Sequence, residues 1–159
     1  MNSQADPSHL QWMRLALEQA DQASALGDVP IGAVVVRNDK VIAQAHNRRI
    51  IDNDPTAHAE MLAIRSASRA LGDWRLTGCT LVVTLEPCCM CAGAIVLARI
   101  PLLVYGATDP KAGAVDTLYN ICTDSRLNHQ LTVTSGVLVD QCSRRLSDFF
   151  AAQRALGKK

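Results

Sequence analysis

The sequence predicts an α/β sandwich. Helix-spaced apolar residues and short β-branched blocks both occur, and after an opening helix and a strand pair the two patterns alternate along the chain. At 159 residues the chain has room for one core and too little for two ordinary ones, so residues 1–159 read as a single domain.

The first helix is expected over Ser8 to Leu26, where Leu10, Met13, Leu17 and Ala20 fall on one face and Gly27 supplies a stop. Ile31 to Val36 is nearly all apolar and β-branched, which suits a strand. Arg37-Asn38-Asp39-Lys40 turns the chain into a second strand, Val41 to Asn47, and a short turn between two strands makes an antiparallel hairpin. Asp54-Pro55-Thr56 breaks the pattern before good helix formers from Ala57 to Leu71, with Gly72 behind them. Cys79 to Leu85 reads as a strand. Pro87 suits the first turn of a helix over Cys88 to Ala98, because its missing N–H costs nothing there. Leu102 to Tyr105 is a further strand, and Gly106 to Gln130 is a long connection with a short helix expected around Leu118. Leu131 to Thr134 is the last strand, and Asp140 is expected to cap a final helix reaching Ala155. Strands joined through helices should run parallel.

Composition excludes several classes. An apolar fraction of 48% with 19% charged residues is that of a folded chain, not of a disordered one. The longest apolar runs, Ile31 to Val36 and Ala92 to Ala98, fall short of the roughly 20 residues a membrane helix needs. Asp6, Pro7 and His9 stand where a secretory leader would carry bases and then an apolar stretch, so a cytoplasmic location is expected. In that reducing compartment six cysteines are free thiols or metal ligands. The net charge of +1 hides an uneven distribution: from Arg144 onward there are Arg144, Arg145, Arg154, Lys158 and Lys159 against Asp148 alone.

The chemistry is concentrated in His58-Ala59-Glu60 and Pro87-Cys88-Cys89-Met90-Cys91. Zinc prefers imidazole nitrogen and thiolate sulfur, and His58, Cys88 and Cys91 would fill three tetrahedral positions with the fourth left for water. Cys88 and Cys91 are three apart on a first helical turn, so they share a side, and the helix N-terminus favours the thiolate. His58 and Glu60 diverge on a regular helix but meet if the helix starts between them. Zinc lowers the pKa of bound water from about 15.7 toward about 7, and Glu60 would carry protons from that water to the ring and to the departing amine.

Those two motifs resemble the signature of the cytidine deaminase superfamily, H-x-E with P-C-x-x-C. Within it the chain is similar to the bacterial deaminases of adenosine in tRNA, through Asp28-Val29-Pro30-Ile31-Gly32-Ala33, Asp54 to Glu60, Thr84 to Pro87, Gly106 to Lys111 and Leu127-Asn128-His129. The resemblance implies a three-layer α/β/α sandwich around a five-stranded mixed sheet, a homodimer, one zinc per chain, and a tRNA anticodon stem-loop as partner, its wobble adenosine becoming inosine. It implies roles as well. His58, Cys88 and Cys91 match the zinc ligands and Glu60 the proton shuttle. Asn47 matches a residue that binds the target nucleoside, Val29 and Pro30 the pocket wall, Asp109 and Lys111 a loop against flanking nucleotides, and Phe150 a ring beside the RNA. At least one of Phe149 and Phe150 is expected to pack in the core. The chain departs from the family pattern in two places: Cys89 between the ligand cysteines, and Ala151-Ala152 where an arginine is frequent.

Two other readings stay open at this level. One is a deaminase of a free base or nucleoside, guanine or cytosine. The other is a structural zinc module, which would need a fourth protein ligand from Cys79, Cys89, Cys122, Cys142 or His129.

Overall fold

The computed structural model describes residues 5–158. The elements are α1 (Pro7–Ala25), β1 (Gly32–Arg37), β2 (Lys40–His46), α2 (Ala59–Leu71), β3 (Cys79–Leu85), α3 (Cys89–Leu97), β4 (Leu102–Ala107), a 3₁₀ turn (Ile121–Thr123), β5 (Thr132–Thr134) and α4 (Val139–Ala155). The strands form one mixed sheet in the order β2-β1-β3-β4-β5. β1 pairs antiparallel with β2 and β3, whereas β3, β4 and β5 run parallel.

Period-two alternation divides the core between the two faces of this sheet. Ala33, Val35, Leu81, Val83, Leu103 and Tyr105 pack with α2 and α3 through Ala63, Ile64, Ala92 and Ile95. Val34, Val36, Val82 and Val104 face the other way, onto Met13, Ala16 and Leu17 of α1 and Cys142 of α4. With both faces covered, β1 and β3 read as nearly continuous apolar runs rather than alternating ones. Burying Met13 and Leu17 contributes about 1.5–3 kcal/mol each. At Gly32 the α1 backbone lies so close that a Cβ would overlap Ala16 O, which brings the helix down onto the sheet.

Local chemistry moves several boundaries away from the sequence-based expectation. Asp6 caps α1 through the Ser8 N–H (2.8 Å), so the helix starts with Pro7 at its first position. Pro87 stands outside α3, because Cys88 is the extended N-cap (φ −75°, ψ 177°). Asp140 does not cap α4. The chain enters that helix through Leu138 at φ 50°, and Asp140 sits in its first turn, where a carboxylate still complements the helix dipole. No helix forms at Leu118, and the only helical turn in that connection is Ile121–Thr123. The β1–β2 turn holds Asn38 and Asp39 at φ 51° and 60°, a left-handed pair that Asn and Asp tolerate. No helix among the described residues is long and apolar enough to cross a membrane.

Candidate active site

The sheet order brings two helix starts together. His58 is the extended N-cap of α2 (φ −78°, ψ 149°), and Cys88 holds the same position on α3. The approach to His58 is braced by Asp54, which accepts from the Thr56 N–H and hydroxyl (2.8 and 2.7 Å). Arg48 N–H then donates to Ala57 O (2.9 Å), tying this loop to the end of β2. Because α2 begins only at Ala59, His58 and Glu60 are not held on opposite sides of a regular helix.

His58 Nδ1 lies 3.6 Å from Cys88 Sγ and 3.5 Å from Cys91 Sγ. One donor atom from each residue falls within 4.8 Å of the others. Tetrahedral zinc with ordinary Zn–S and Zn–N bond lengths separates an N and an S donor by about 3.55 Å, so the donor set fits that ion. Among the described residues no fourth His, Cys, Asp or Glu joins the group. Cys79 and Cys122 pack in one core and Cys142 in the other, Cys89 is exposed, and His129 is hydrogen-bonded to Ile100 O (2.8 Å).

The electrostatics suit proton transfer. Glu60 is buried, and loss of water raises its carboxyl to about 7, although a backbone hydrogen bond and nearby His58 oppose the shift. Hydrogen bonds from Cys91 and His58 hold the Cys88 thiol down at about 3. The Cys88 thiolate and burial together push Cys91 upward, and hydrogen bonding to Cys88 raises His58. A cation shared by the three would remove that opposition between the cysteines.

A cavity of about 380 Å³ is lined by Val29, Asn47, Asp109, Lys111 and Phe150, along with Arg49 and Leu146. Five residues expected at the substrate site therefore share one hollow. His58, Cys88, Cys91 and Glu60 are not among its lining residues. Pro30 faces elsewhere, into a hollow with Asp21, Arg145 and Phe149. Phe149 is buried whereas Phe150 is 45% exposed, and their rings meet edge to face at 5.5 Å.

The sequence profile of the MafB19-like deaminases matches residues 7–154. The chain belongs to this deaminase family. It is 53% identical over 148 residues to the tRNA-specific adenosine deaminase of Bacillus subtilis (strain 168), covering 93% of this chain and 90% of that one. A structure solved in work on A-to-I editing by tRNA deaminases at the wobble position superposes with a TM-score of 0.83 at 47% identity, over 86% of this chain and 99% of the other. The guanine deaminase of Nitrosomonas europaea superposes with a TM-score of 0.79 at 28% identity, over 93% and 86% of the two chains. The sandwich and its five-stranded sheet are thus those of a deaminase.

Two buried acids that the motif reading passed over shape this deaminase's cavity. Glu86 Oε1 accepts from the N–H groups of Val115, Asp116 and Thr117 (3.2, 2.8 and 2.9 Å), and Oε2 accepts from Asp109 N–H (2.9 Å) and the Thr117 hydroxyl. Burial opposes its ionisation, but these donors win and hold the carboxyl below its ordinary value. The same bonds explain the missing helix at Leu118: the amides that would start it are turned onto Glu86. Asp109 closes its own turn by accepting from Lys111 and Ala112 N–H (2.9 and 3.2 Å). Asp28 is the second acid, fully buried against Asn47 and the Ile50-Ile51 backbone. The available signal was an acid set among apolar neighbours, as in Leu85-Glu86-Pro87 and Asp28-Val29-Pro30.

The basic tail divides. Arg145 is committed to Asp21 (2.7 Å), whereas Arg154 and Lys158 line a hollow that shares Val29, Arg49 and Phe150 with the main cavity. Lys159 lies outside the described residues.

Proposed function

We propose that this enzyme hydrolyses adenosine to inosine at the wobble position of a tRNA anticodon. The observation that carries the chemistry is the convergence of His58, Cys88 and Cys91 at zinc-like spacing beside a buried carboxyl, Glu60. The 53% identity to a tRNA-specific adenosine deaminase carries the substrate.

In this reading His58, Cys88 and Cys91 hold one zinc ion. When bound, zinc supplies a water whose pKa falls from about 15.7 toward about 7. Glu60, buried next to the donor set, takes a proton from the attacking water and hands it to a ring nitrogen of the base. It then passes a proton to the departing amine; water is consumed, ammonia leaves and a carbonyl remains. Asn47 and Val29 contact the target nucleoside. Asp109, Lys111 and Phe150 meet the neighbouring nucleotides.

The chain acts as a single domain in the cytoplasm. It pairs with a second copy, for which Leu97, Leu118 and Tyr119, all more than half exposed, offer apolar surface. Incubating the purified protein with an anticodon stem-loop, free adenosine, cytidine and guanine, while measuring ammonia, tests the reading. Release far faster from the stem-loop than from the free compounds is expected, and preferential release from guanine or cytidine would replace the reading with a free-base or nucleoside deaminase.

A further inference from the structure

Asn47 is 3% exposed and lines the cavity, yet its Oδ1 is a buried polar atom with no hydrogen-bond partner. Such an atom costs free energy unless something else satisfies it, so it marks a place for a ligand. The other end of the same amide fixes its orientation. Asn47 Nδ2 donates to Asp28 Oδ1 at 3.3 Å. Asp28 is fully buried, and the Val29 N–H also donates to its Oδ1 (2.8 Å), while the Ile50 and Ile51 N–H groups donate to its Oδ2 (2.8 and 3.2 Å). Both carboxylate oxygens are thus occupied as acceptors, and the group facing them must be a donor. The amide has one orientation left.

We infer that Asp28 is a positioning residue that pins the Asn47 amide with its carbonyl toward the cavity, so that this subsite selects a hydrogen-bond donor on the target nucleotide, namely the ribose 2′-hydroxyl. The inference rests on the reading that the target is adenosine within RNA. The ring nitrogens of adenine are acceptors and cannot satisfy Oδ1. Its only base donor is the exocyclic amine, which sits on the carbon under attack and leaves. Inside a polynucleotide the 3′ and 5′ oxygens are esterified, which leaves the 2′-hydroxyl as the remaining donor. Asp28 therefore contributes to the choice of RNA over DNA without touching either.

The test uses the full chain and three stem-loops that carry a 2′-hydroxyl, 2′-hydrogen or 2′-fluorine at the target adenosine. Fluorine keeps the ribose-like pucker but cannot donate. The expected result is a fall in kcat/KM of about tenfold or more for both modified substrates with the native protein, and near equality of the three with Asn47→Ala. Asp28→Asn should narrow the hydroxyl-to-fluorine ratio, because its NH2 group frees Asn47 to turn. A purely structural role for Asp28 would instead lower all three rates together and leave the ratios unchanged, which overturns the assignment. Equal kcat/KM for hydroxyl and fluorine with the native protein also overturns it, whatever the variants do. Absence of turnover on the all-ribose stem-loop is a separate outcome: it removes the functional reading and this inference with it.

Discussion

Gly113 lies against the carboxylate of Glu86, and a Cβ at position 113 would overlap both Glu86 Oε2 and Asp109 O. The missing side chain lets the loop wrap around the acid, placing Asp109 N–H on one oxygen and the amides of residues 115–117 on the other. Replacing Gly113 with Ala should force this clamp open, at a cost of about 1–3 kcal/mol in stability. Thermal unfolding with kcat/KM on the stem-loop checks it. An unchanged midpoint would mean that the loop gives way without strain.

Glu86 also sets an acid limit. Its folded-state carboxyl lies below the ordinary value of 4.5, so its stabilising contribution is complete above that value and disappears as pH falls through the lower folded-state one. Glu86→Gln should cost about 2 kcal/mol near neutrality, since an amide cannot accept from every donor that the carboxylate satisfies. The gap between native and variant midpoints should close as pH falls below the ordinary carboxyl value of 4.5 and through the lower folded-state one. Effects of acid on the cysteine cluster are common to both proteins and cancel in that difference. A constant gap would show that the carboxylate's charge is not what the loop requires.

Glu60 and the three donors should separate by variant. Glu60→Gln is expected to lower kcat by about 10²–10⁴-fold while zinc content and fold stay in place, because proton transfer is lost and ligation is not. Changing His58, Cys88 or Cys91 to Ala should remove metal and lower stability together. Metal analysis beside activity decides: a metal-poor Glu60→Gln protein would make Glu60 a ligand.

Cys89 is exposed, next to Cys88 but outside the converging group. Cys89→Ser should retain about one zinc per chain and most of its activity. A metal-poor product would reassign the thiolate pair.

Much of this was legible in the sequence, because the signals are local. The β-branched run of β1, the Asn38-Asp39 turn and the His58-to-Glu60 spacing each act within a few residues, and all appear in the fold. What the sequence hid depends on distant partners. The apolar neighbours of Glu86 and Asp28 hint at burial, but not at the backbone amides 22 to 31 residues away that close on them. The helix expected at Leu118 failed for the same reason. Leu146 enters the cavity only because α4 folds back across the sheet, a placement that no nearby motif announces.

The substrate prediction joins these parts. The cluster and Glu60 need only an amine on an unsaturated ring carbon, so the reaction centre alone does not distinguish a free base from RNA. The surroundings go further. Arg49, Lys111, Arg154 and Lys158 line the cavity and its adjoining hollow, and Phe150 offers an exposed ring between them. Bases can stack on such a ring and phosphates can meet such cations. Binding energy from these remote contacts is available to orient the reacting base, so trimming the substrate to free adenosine should lower kcat as well as raise KM. If all four cations engage phosphates of the single-stranded loop, log affinity should fall with log salt at a slope of about −3. Replacing Lys111 or Arg154 with Ala should reduce that slope by about 0.7 each. Rates on the stem-loop and on free nucleosides, measured across a salt series, decide the matter. Equal turnover of a free base with no salt dependence would assign the cavity to small molecules and leave the roles of His58, Cys88, Cys91 and Glu60 as they stand.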